Sequence, residues 1–170
     1  MTPEHERGTS ERAFVDAAKN WFAMDGLWFQ AVEKKYGMDA AIELDRGVWE
    51  QFAVIESHRL KERLALPEKG GLDALEIAFS NRLASRLNTL EILRPDKKTL
   101  ILVTKTCRVQ AARMRKSMDK FPCKSVGMVE FPLFARTIDP RIAATCVSCP
   151  PETRPGIPYC SWKFTLESDE

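Results

Sequence analysis

The stretch CVSCPPETRPGIPYCSWKFTL, Cys146–Leu166, holds three of the chain's five cysteines between two segments with the alternation of strands. In Arg141–Ser148 and in Tyr159–Leu166, β-branched, aromatic and small residues alternate with polar ones at the period of a half-buried strand. Between them CPPETRPGIP contains four prolines and a glycine, which exclude helix and lack the amide donors of a strand interior. The expected unit is an antiparallel hairpin with a long, stiff connection. Cys149 and Cys160 then stand at the two feet of the loop, and three sulfurs can meet at one end of a sheet.

The chemistry of three sulfurs depends on compartment. The chain begins MTPEHERGTSER, without an apolar signal core, and has no apolar run long enough to span a bilayer. The expectation is a cytoplasmic protein, where a disulfide framework is disfavoured. A Cys-x-x-Cys pair with further thiols supplies the soft ligands that zinc needs, with an iron–sulfur cluster as the second choice. The expected metal set is Cys146, Cys149, Cys160 and Cys123, with Cys107 the alternative fourth ligand. Burial of the same cysteines as small hydrophobes is the competing reading.

At 170 residues and 44% hydrophobic content, the chain suits one domain with a proper core. A balance of 26 basic against 24 acidic residues leaves no electrostatic footprint for nucleic acid or a membrane surface. Residues 1–9 read as a disordered tail and residues 10–170 as one α+β domain, in which 10–88 form a helical half and 89–166 the sheet and cysteine-bearing half. Ser10 reads as the N-cap of a helix to about Met24, and Asp25-Gly26 as a break before a second helix from Leu27 to Tyr36. Asp39 opens a long helix to about Leu66, closed by Pro67. A further helix is expected over 72–88, then a short strand around Leu90–Leu93 and a turn at Pro95-Asp96. Thr99–Lys105 is the clearest strand, and its apolar run predicts a central place beside the C-terminal hairpin. Arg108–Met118 reads as a short basic helix, and Ser125–Ile138 as another that Pro132 kinks or delays.

Aromatic residues at helical spacing, Trp21, Trp28 and Trp49, either fill a core or line a small-ligand cavity whose polar wall is Glu56, His58 and Arg59. Glu56 and Arg59 are three apart and can also pair on the helix surface. The catalytic candidates are Cys107, at a strand-to-helix junction where a thiol pKa can fall, Cys149, and His58 as acid or base. Phosphate loops, zinc-protease and nucleophile-elbow motifs are absent from the sequence.

The segments WFAMDGLWFQAVEKKYGMDAAIELD, CRVQAARMRKS, PCKSVGMVEF, FARTIDPRI and the closing CVSCPP…PYCSWKFTL resemble a family of uncharacterised cytosolic proteins, a domain of unknown function, of anaerobic bacteria and archaea. More distantly, Cys146 or Cys149, Cys160 and Phe164 in a closing hairpin are similar to aminothiazoline-carboxylate hydrolase-like and vinyl-reductase-type small-molecule-binding domains. That resemblance implies an α+β ligand-binding scaffold and raises a ring-opening amidohydrolase. The resulting expectation is a small-ligand-binding or sensory module with a thiolate-bound metal. A cysteine-dependent hydrolase of a small cyclic amide-like substrate is the alternative, and a purely structural interaction subunit the third. The expected partners are a small molecule and a second copy of the chain as a homodimer.

Overall fold

A computed structural model describes residues 3–153, 156 and 158–168, with side chains from residue 9 onward. Met1 and Thr2 of the expected tail, and Arg154, Pro155 and Ile157 of the hairpin loop, lie outside the described residues. The architecture is α+β. Two units are distinguished, residues 1–41 and 42–170.

The first unit is α1, Pro3–Tyr36, followed by the first turn of α2, Met38–Leu64. The expected break at Asp25-Gly26 does not occur, and residues 3–9 already belong to the helix, so Ser10 is interior rather than a cap. A helix-interior glycine costs only about 1 kcal/mol, which long helical flanks absorb. The Gly26 carbonyl also accepts a 2.8 Å bond from Gln30 Nε2. Gly37, at a φ of +89°, is what separates α1 from α2.

The second unit contains the remainder of α2, α3 (Gly71–Ser80), a short 3-10 turn at Ala84–Arg86, and the hairpin β1 (Thr89–Asp96) and β2 (Thr99–Thr106). Then come α4 (Arg108–Arg115), α5 (Lys124–Ile138), β3 (Ile142–Ser148) and β4 (Cys160–Leu166). α3 stops well short of Asn88, because the Asn81 side chain bonds back to the Ile77 carbonyl and its own amide bonds Ala78, closing the last turn. α5 runs unbroken through Pro132.

The strands form one antiparallel sheet in the order β1-β2-β4-β3, so β2 is central and pairs with the C-terminal hairpin. The register aligns Leu102, Trp162 and Cys146 across three strands, and Leu100, Phe164 and Ala144 one step along. Cys160, Trp162 and Phe164 therefore share the inner face. Helices cover that face: Phe79 of α3 stacks on Phe134 of α5 at 5.1 Å and meets Phe164 at 5.1 Å, and Phe131 lies 4.5 Å from Trp162. Gly127 of α5 admits this packing, because a Cβ there would come within 2.6 Å of Trp162 Cζ2. Asp139 ties the elements together at the far end. Its carboxylate accepts from Gly71 N–H at 2.8 Å and from the Arg141 guanidinium at 2.7 Å, and the Arg141 bond, against burial, holds its pKa at about 2.

Candidate functional site

Topology gathers the five cysteines at one end of the sheet. Cys146 and Cys149 come from the end of β3, Cys160 opens β4, Cys107 precedes α4 and Cys123 precedes α5. Central β2 brings Thr104 opposite Cys160, which places the β2–α4 junction beside the hairpin foot. The α5 N-terminus is pinned to the same foot by Lys124 N–H donating to the Pro150 carbonyl at 2.9 Å, and by the Lys124–Glu152 ion pair. Buried Gln110 of α4 fixes the approach to Cys123: Nε2 donates to the Phe121 carbonyl at 2.7 Å and Oε1 accepts from Phe121 N–H at 3.1 Å.

Cys123 and Cys149 are in contact, Sγ to Sγ 3.6 Å, and Gln110 Nε2 reaches the Cys123 sulfur at 3.9 Å. The interactions of the Cys149 thiol with Cys123 and Cys160, together with burial, push its pKa far up. At Cys160 the interaction with Cys149 lowers the pKa, with Thr104 and Trp162 adding to the effect against burial. Burial also raises Cys146, opposed by the Lys124 ammonium. At Cys107 the amides of Val109 and Gln110 do face the sulfur, as its junction position predicts, but burial outweighs them and the pKa rises rather than falls. Cys107, Cys146 and Cys149 thus each feel the charge of at least one other cysteine.

Trp162 Nε1 faces Cys160 yet is buried without a hydrogen bond of good geometry among the described residues, as are Ser148 Oγ and Tyr159 OH. An unpaired buried N–H costs about 1–3 kcal/mol, and a thiolate acceptor would relieve it. Among the described residues no three His, Cys, Asp or Glu side chains stand together in a metal-holding arrangement as they are placed.

The remaining expected site residues disperse. In the first unit, Trp21 and Trp28 line, with Met24 and Asp25, an open groove of about 270 Å³ formed by α1 alone and touching no cysteine. In the second unit, His58 and Arg59 are exposed, whereas Trp49 and Glu56 are half-buried. Glu56 pairs not with Arg59 but with Arg82, a residue the sequence did not single out. Arg82 Nη2 lies 2.7 Å from Glu56 and 2.8 Å from Glu130, with side-chain exposures of 6% for Arg82, 13% for Glu56 and 15% for Glu130. The rings of Phe134, at 4.5 Å, and Trp49, at 5.7 Å, cover its guanidinium. Burial raises the Glu130 pKa although Arg82 opposes it, and Glu130 is near enough to Cys160 to resist ionisation there. Of the expected polar wall, only Glu56 is therefore engaged in the interior.

Residues 7–166 match a family of unknown function, DUF6125. The chain belongs to that family. No curated protein and no solved structure matches it. Among the described residues no helix is long and apolar enough to cross a membrane.

Proposed function

We propose that the cysteine cluster is a thiolate metal centre, with zinc as its first choice of ion, in a cytoplasmic small-ligand-binding or sensory module. The observation that carries this reading is the convergence of Cys123, Cys146, Cys149 and Cys160 from α5, β3 and β4, with two sulfurs already 3.6 Å apart. Four sulfurs at about 2.3 Å from a tetrahedral zinc stand about 3.8 Å from one another, close to that separation. Closing the set needs the remaining sulfurs brought to that separation and loss of the proton from every ligating thiol, a release that metal binding drives. The Trp162 N–H and the Lys124 ammonium would then offset the sulfur charge, as outer groups do around thiolate sites. Cys107 is the reserve ligand, and an iron–sulfur cluster the second cofactor.

The test is elemental analysis of protein purified anaerobically, alongside thermal unfolding with and without chelator. About one zinc per chain, lost in Cys149→Ser and accompanied by a lower Tm, is expected because metal binding contributes to folding. Substoichiometric metal in both proteins, with a Tm indifferent to chelator, would remove the proposal.

A second reading rests on Cys160, a thiol with a lowered pKa beside Cys149, whose pKa is raised. That is the state a nucleophile needs. It would follow the distant resemblance to aminothiazoline-carboxylate hydrolase-like proteins, with Cys160 as the attacking sulfur in place of the expected Cys107 or Cys149. Metal-free protein in which iodoacetamide labels Cys160 first would favour it.

A further inference from the structure

The first helix carries a stripe the metal centre does not use. Ala13, Ala17, Asn20, Met24, Leu27 and Ala31 follow one another at spacings of four, three, four, three and four, and all six are exposed. Met24 is 71% exposed, Leu27 61%, and Trp28 at the flank of the stripe 73%. A narrow seam at this alternation is the signature of pairing with another helix, whereas a helix lying on its own core shows a wider face. We infer that α1 pairs in parallel with α1 of a second copy of this chain, forming a two-stranded coiled coil.

Three features of the seam choose a second copy over other occupants. In a parallel, in-register pair Asn20 meets Asn20 across the seam, where two amides satisfy one another and a shifted register would leave each against an apolar side chain. Trp28 then falls over exposed Ala23 of the partner, five positions away across the interface, so the largest side chain covers one of the smallest. Finally, α1 holds six acidic and five basic residues, so two copies neither repel strongly nor seek an anionic membrane. Covering Met24, Leu27, Trp28 and the alanines removes roughly 500 Å² per copy, about 1,000 Å² in all, near the lower bound for a specific interface. The expected dimer is therefore reversible.

Sedimentation velocity of the full chain at tens of micromolar tests this, with far-UV circular dichroism as a check on folding. The expected result is a dimer whose dissociation constant rises at least about tenfold in Met24→Glu/Leu27→Glu, and also in the milder Ala31→Lys, with helix content retained. A wild-type monomer would overturn the inference. So would a dimer indifferent to both variants, or a monomer that binds anionic vesicles through α1.

Discussion

Replacing Arg82 by methionine removes the cation that bridges Glu56 and Glu130, two carboxylates that are largely withdrawn from solvent. Two like charges then face each other in the interior, and at least one must take up a proton. Protonating a carboxyl of ordinary pKa near 4.3 at pH 7 costs about 3.7 kcal/mol, at 1.36 kcal/mol per pH unit. Methionine retains much of the packing beneath Phe134 and Trp49, so the packing loss stays below about 1.5 kcal/mol. A loss of about 4 kcal/mol at pH 7 is expected, inside the range for breaking a buried pair from one side. The carboxyl that stays protonated in the folded variant has a pKa above its unfolded value. Its contribution is complete below about pH 4 and is lost as pH rises, so the gap to wild type should narrow from pH 7 to pH 5, by less than the full protonation cost because wild-type Glu130 is itself raised by burial. Urea unfolding of both proteins across this range, followed by far-UV circular dichroism, measures the gap. A loss that does not change with pH, or one below about 1 kcal/mol at pH 7, would refute the reasoning.

Two further outcomes test the packing and the ties of the second unit. Gly127→Ala should lower the urea midpoint by the equivalent of about 1–3 kcal/mol, because the clash with Trp162 outweighs the usual gain from alanine in a helix; a raised midpoint would contradict this. Asp139→Asn should cost about 3 kcal/mol at neutral pH. Because the Asp139 pKa is depressed to about 2, the stabilisation it provides is present above the unfolded value near 4 and is lost as pH falls toward 2. Acid titration of wild type and variant should therefore converge at the low end.

What the sequence determined by itself is what depends on neighbours along the chain. The C-terminal hairpin was legible because its strands alternate at period two around a connection whose prolines permit neither helix nor ladder. The central place of β2 followed from its continuous apolar run, since a strand flanked on both sides has little polar edge. The cysteine-bearing feet of the loop were visible for the same reason. Where local signals competed, they misled: Asp25-Gly26 reads as a break, but one weak glycine does not outweigh the helical residues on either side of it. Only the tertiary structure decided which groups meet. Cys123 and Cys149 are 26 residues apart and Arg82 and Glu130 are 48 apart, and nothing in their own neighbourhoods marks either pair. Arg82 lies just past α3, where a basic side chain ordinarily remains in solvent, and its burial is matched by carboxylates from both α2 and α5. Periodicity records which face of an element is apolar; which charge or sulfur it meets across the core is decided by strand order and helix placement.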